Sequence, residues 1–241
     1  MHDLSNVGPR KILGFFDGKI FVTESVLFGL IVAAILVILA FFLTSRMEKV
    51  PRGKQIVAET IVDFIYNLVG NGMGKHNIRF APYIGTVIIF LVFANATGLF
   101  GFRPVTADVN MTFAMSTITF MVIQASSMRN NGIGGYAKHM CKPFPFMLPI
   151  NILEQFTLPV SLGFRLFGNI TGGMIIMALI FNALGNASAA LHLPIPFLQA
   201  VIPMPANFFF DVFEPVLQAY IFTMLTMTFL AKELPKPGEA H

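Results

Sequence analysis

Apolar residues along the chain collect into runs too long for a soluble core, separated by short basic clusters. The run "SVLFGLIVAAILVILAFFLTS" (residues 25–45) is uninterrupted. As a helix rising 1.5 Å per residue it crosses the ~30 Å of a bilayer's hydrocarbon. Runs over residues 80–102, 111–127, 152–184 and 207–231 predict four further membrane helices. The fourth would be ~45 Å long, more than a perpendicular crossing needs, so strong tilt is expected. Pro194, Pro196, Pro203 and Pro205 break the chain between the last two helices, which are expected to pack as a hairpin. Residues 55–69 follow another pattern. Val57, Ile61, Phe64, Ile65 and Leu68 fall on one helical stripe, and Glu59, Asp63 and Asn67 on another. That predicts an amphipathic helix, lying on the inner membrane surface or packed on a partner. The expected fold is an all-α multi-pass membrane protein, one integral membrane domain over residues 1–241.

Composition agrees. Of 241 residues, 55% are hydrophobic and 12% charged, where a soluble domain carries about a quarter. The mean hydropathy is +0.73. A net charge of +4 does not point to nucleic acid, because the basic residues flank the apolar runs as topology signals do. Of the 16 Lys and Arg, most lie in the loops after the first and third runs and in the tail. The positive-inside tendency then puts the C-terminus in the cytoplasm and the N-terminus outside, in a cell membrane. Residues 1–24 read as a short leader, and the first run as a retained anchor rather than a cleavable signal. The single cysteine, Cys141, excludes an intrachain disulfide framework and any multi-Cys metal site. Phosphate-loop, zinc-protease and nucleophile-elbow motifs are missing, so no cofactor, metal or catalytic residue is expected.

The chemistry concentrates in the last two runs. Between Phe144 and Ala231 the formal charges are Glu154, Arg165, Asp211 and Glu214. An arginine in mid-membrane costs from ~3 to over ~10 kcal/mol, and it cannot shed its proton. Such a residue faces a partner or water. Arg165, Asn169 and Gly172 share a helical face, and Gly168 with Gly172 forms a G-x-x-x-G pair that lets another helix approach or move past. On the last helix Asp211, Glu214 and Gln218 share a face. Pro215 removes the donor for the Asp211 carbonyl, which loosens that turn and admits water. These are two polar edges of an ion path. Blander readings stand beside this one: Arg165 snorkelling to an interface, Glu154 interfacial, Asp211 and Glu214 solvated at a helix end, and His192 a surface loop residue.

Three stretches, "PVSLGFRLFGNITGG" (residues 159–173), "LQAYIFTMLTMTFL" (217–230) and "TADVNMTFAMS" (106–116), occur in that family's order and resemble signatures of subunit a of the F-type ATP synthase. The resemblance covers most of the chain from about residue 50. It implies that Arg165 faces the ion-binding carboxylate of a rotating c-ring, with Gly168 and Gly172 on the surface that meets the ring. Asn169 and Gln218 line the path, Asp108 and Asn110 mark its outer entrance, and Glu154 belongs to the cytoplasmic half-channel. Asp211 matches a position where relatives carry an ionisable Glu or His. Some relatives carry an acid or His where this chain has Met174, which shifts weight onto Asp211 or Glu214. The partners implied are the c-ring, the peripheral-stalk b subunit and the bilayer, and the ion is a proton or sodium. The competing reading is a self-contained secondary ion transporter, which ordinarily shows inverted repeats. No such repeat is evident here.

Overall fold

The computed structural model describes residues 11–15, 20–45, 47–140, 145–191 and 197–234. Residues 1–10, Cys141, Lys142, His192, Pro194, Pro196 and the tail after Leu234 lie outside the described residues. Among the described residues, eight α-helices follow a small hairpin: α1 (Glu24–Thr44), α2 (Lys54–Met73), α3 (Ala81–Ala96), α4 (Val109–Met140), α5 (Leu148–Ala190), α6 (Phe197–Val201), α7 (Met204–Phe208) and α8 (Glu214–Glu233). Among the described residues, five stretches are long and apolar enough to cross a membrane: Glu24–Thr44, Lys75–Phe100, Val109–Asn130, Leu148–Ala190 and Met204–Glu233. The chain is an all-α multi-pass membrane protein.

The stretch read as a plain leader contains two antiparallel strands, β1 (Lys11–Phe15) and β2 (Ile20–Thr23). Two short apolar runs, with Asp17-Gly18 between them in the sequence, carry a hairpin signal that a search for membrane runs passes over. Thr23 ends β2 and caps α1, its hydroxyl accepting the Val26 N–H. Most of α1 then faces outward with apolar side chains, and only Ser25, Gly29 and Val32 are buried. Lipid is the solvent such a surface needs.

The stripe on α2 is divided. Ala58, Ile65, Val69 and Met73 are buried, whereas Val57, Ile61 and Phe64 stay exposed. Ile65, Val69 and Met73 pack with Ala81 and Ile84 of α3 and with Met227, Leu230 and Leu234 at the end of α8. A second cluster joins Val87 and Leu91 of α3, Leu162 and Leu166 of α5, and Ala219 and Phe222 of α8. The two clusters hold α8 along α3. The widest contact of α5 is with α4, so the last two long helices meet over only part of their length.

Two interruptions shape the bundle. Gly132 sits at φ 67° inside α4, a left-handed conformation that suits glycine, and it redirects the end of that helix. Residues Phe209–Phe213 form a π-turn directly before Glu214 and Pro215. This is the loosened turn that Pro215 predicts, because the proline has no N–H to give. The helix α5 has 43 residues, ~65 Å by helical rise.

Candidate functional site

Helix α5 carries Arg165, Asn169 and Gly173 at successive turns and passes two cavities as it does so. One, of about 350 Å³, includes Ile170, Gly173 and Met174 of α5, Asn95 of α3, and Phe210 and Asp211 of the π-turn among its lining residues. The other, of about 560 Å³, is bounded in part by Gln124 of α4, Glu154, Gln155 and Arg165 of α5, and Lys232 and Glu233 of α8. They are called here the Asp211 cavity and the Glu233 cavity. Arg165 lines only the second, and Gly173 only the first. Eight residues separate the two, ~12 Å of helix.

Arg165 is exposed on the outer surface of the chain, and among the described residues it makes no ion pair. Beside it, a Cβ added at Gly168 or Gly172 would meet nothing within 4 Å. The guanidinium therefore stands on a smooth strip beside exposed Phe164, and Ile175, Ile176 and Leu179 are exposed further along the helix. Asn169, one turn on, donates from Nδ2 to Gln218 Oε1 of α8 at 3.0 Å. Gln218 is buried, and its own Nε2 has no partner among the described residues. This amide pair ties α5 to α8 midway between the cavities.

The next contact is made possible by Gly173. A Cβ there would lie 2.8 Å from Phe210 Cδ1 and 3.0 Å from Glu214 Oε2, closer than packed atoms allow. Glu214 is 7% exposed, wedged against the glycine, while Asp211 is half-buried and lines the cavity. The sequence pattern singles out Gly168 and Gly172, yet the close approach inside this chain is at Gly173. One residue rotates the position by about 100° around the helix, which is enough to change neighbours.

At the Glu233 cavity, Ser127 Oγ donates to Glu233 Oε2 at 2.7 Å, and Gln124 Nε2 donates to Gln155 Oε1 at 3.0 Å. Beyond the Gly132 bend, Tyr136 turns back so that its hydroxyl reaches both Gln124 and Gln155. Burial raises the Tyr136 phenol above its ordinary range, the hydrogen bond to Gln155 offsets part of this, and the Glu233 charge adds to the rise. The group is a neutral donor. Glu154 meets Lys232 at 3.6 Å with both side chains largely exposed.

Asp108 and Asn110 lie apart from both cavities' linings. Asp108 is 2% exposed. It accepts the Asn110 N–H at 2.9 Å and the Thr23 hydroxyl at 3.3 Å, so it caps α4 and joins it to the start of α1. Sequence reasoning passed over Asn95, Ser127, Gln124, Gln155 and Tyr136. Polar residues inside apolar runs were the available signal, but only the fold shows which of them face a common space.

A lone cation on an outward helix face, an amide bridge one turn from it and a cavity carrying polar groups on each side of that bridge define a multi-pass membrane protein with a polar seam between two helices. The family described as ATP synthase A chain matches residues 26–231. ATP synthase subunit a of Moorella thermoacetica is 32% identical over 95% of this chain and 97% of its own length. ATP synthase subunit a of Lysinibacillus sphaericus is 34% identical, covering 96% of this chain and 98% of that protein. ATP synthase subunit a, sodium ion specific, of Propionigenium modestum is 32% identical, covering 87% and 73%. The chain belongs to the ATP synthase A chain family, a membrane component of the F-type ATP synthase.

Proposed function

We propose that this chain is the ion-translocating stator subunit of a rotary ATP synthase, giving ions two offset half-channels to a carboxylate on an adjoining c-ring. The observation that carries the reading is Arg165, an exposed cation that lines one cavity, five residues along α5 from Ile170 of the other, and makes no ion pair among the described residues. A permanent charge in a membrane demands a partner, and a passing ring carboxylate supplies one.

In this reading an ion enters the Asp211 cavity, passes Glu214 and the Asn169–Gln218 pair, and neutralises a ring site that can then turn into lipid. Arg165 attracts each ionised site as it returns and bars ions from crossing directly between cavities. Passage then requires rotation, and each charge moved contributes ~2.3 kcal/mol per 100 mV. Gly168 and Gly172 give the ring a smooth surface. The Glu233 cavity, with Glu154, is the cytoplasmic half-channel, and Asp108 and Asn110 brace the outer end. The chain acts as one integral membrane domain, N-terminus outside and C-terminus in the cytoplasm of a cell membrane, with α5 strongly tilted and α2 along the inner surface beside a peripheral-stalk b subunit. The relative named for sodium makes the ion a direct question: stimulation of ATP hydrolysis by Na⁺ assigns sodium, and indifference to Na⁺ assigns protons.

The test is ATP-driven ion pumping in membrane vesicles carrying Arg165→Ala, with passive leak measured in the same vesicles. Lost pumping and raised leak in an assembled complex are expected. Normal pumping would sink the proposal. Transport by the isolated chain without a ring would favour a secondary transporter.

A further inference from the structure

We infer that Asn95, held in place by Thr106, is a positioning residue that orients water in the Asp211 cavity for the passing ion. The inference rests on the half-channel reading above and assigns a role to a wall of the cavity that α5 and α8 do not form.

Asn95 closes α3 and is 1% exposed, and Thr106, in the buried turn Val105–Ala107, is also 1% exposed. The Thr106 hydroxyl donates to Asn95 Oδ1. With the oxygen committed, the amide is turned so that Nδ2 has no partner among the described residues, and Asn95 lines the Asp211 cavity. An unpaired amino group in a membrane span carries a large desolvation cost unless something fills its place. The cavity, about 350 Å³, has room for several waters, since each occupies ~30 Å³ in the liquid. Water bound through its oxygen to an N–H donor turns its hydrogens away, toward the acceptors of the lining, and Asp211 is the carboxylate there.

The placement suits that task. Leu91 and Ala94, just before Asn95 on α3, are fully buried, so the amide sits on a rigid support. Asn182, Gln199 and Asn207 add further neutral amides to the same lining. Neutral amides hold water without trapping an ion, whereas a second acid would hold a cation too tightly to release it.

The test uses the assembled complex in proteoliposomes, with ATP synthesis driven at a fixed membrane potential. The proton concentration on the Asp211 side is varied, and in a parallel series the Na⁺ concentration. For Asn95→Ala we expect the half-saturating concentration of the coupled ion to rise roughly 2- to 10-fold, the weight of one hydrogen bond, with the maximal rate little changed. Asn95→Ser, which keeps a donor, should recover part of the shift. Thr106→Val, which frees the amide to turn, should move it in the same direction by less. An unchanged half-saturating concentration in Asn95→Ala, while Arg165→Ala still abolishes synthesis, overturns the role of Asn95 and leaves the half-channel reading standing. Synthesis that survives Arg165→Ala removes the half-channel reading and this inference together. Should Asn95→Ala fail to assemble, Thr106→Val decides: an unshifted curve in that assembled variant also overturns the inference.

Discussion

The Asp211 cavity and the Glu233 cavity share a wall in α5 but treat charge differently. Among its described lining residues the Asp211 cavity has one carboxylate, no lysine or arginine, and the amides of Asn95, Asn182, Gln199 and Asn207. The Glu233 cavity balances Glu154 and Glu233 against Arg165 and Lys232. The first therefore attracts cations weakly and holds none firmly, while the second has the permanent charge of Arg165 in its lining. Their junctions differ too. Helices α5 and α8 touch beside the Asp211 cavity through Gly173, Phe210 and Glu214, whereas Arg165 stands on the open surface. Arg165 thus lines one cavity only, and in the proposed function the route from one to the other runs along the outside of the chain, where another subunit would complete it.

The contact at Gly173 is the place to break this arrangement most completely. Gly173→Leu puts a branched side chain where even a Cβ lies 2.8 Å from Phe210. Overpacking of that kind costs about 1–3 kcal/mol and pushes Glu214 aside, so pumping should fall to background with the complex weakened toward heat. Gly168→Ala, whose Cβ meets nothing within the chain, is the control, and its thermal unfolding should match the parent. Equal pumping by Gly173→Leu would show that the path does not pass Glu214.

A smaller effect is expected midway. Gln218→Ala removes the acceptor for Asn169 and with it the tie between α5 and α8. The lost hydrogen bond contributes about 0.5–1.5 kcal/mol, so pumping should drop roughly 2- to 10-fold, read from initial rates of vesicle acidification or Na⁺ uptake. A rate equal to the parent would mean that the amide bridge plays no part in aligning the seam.

The smallest effect belongs to the Glu154–Lys232 pair. Both side chains are largely exposed and 3.6 Å apart, a geometry that contributes little in water. Lys232→Ala should leave assembly intact and keep pumping within roughly twofold, tested across a range of ionic strength. A large, salt-sensitive loss would instead make this pair part of the mouth of the Glu233 cavity.

Much of this protein was legible in its residues, for a plain reason. Lipid tolerates so few charges that a lone Arg165 in an apolar run is conspicuous, and the apolar runs declare the membrane helices by length. Helical periodicity placed Arg165 with Asn169, and Asp211 with Glu214 and Gln218, on common faces. The missing N–H of Pro215 foretold a disturbed turn, which the fold contains at Phe209–Phe213. These are local consequences of covalent structure and solvent.

Other features depend on which surfaces meet, and periodicity does not carry that information. Asp108, opening its helix, became a buried cap bonded to Thr23, 85 residues away. Asn95 gained its meaning from Thr106, which orients it, and from the cavity it faces. Gly173 rather than Gly168 or Gly172 marks the close approach of α5 to the π-turn, because their crossing selects one rotation of the helix. The sequence by itself determined a membrane bundle, its polar faces and its isolated arginine, since each follows from the cost of charge in hydrocarbon. Only the tertiary structure decided that those faces open into two separate cavities, with Arg165 in one and Asp211 in the other, because that separation arises from how long helices cross.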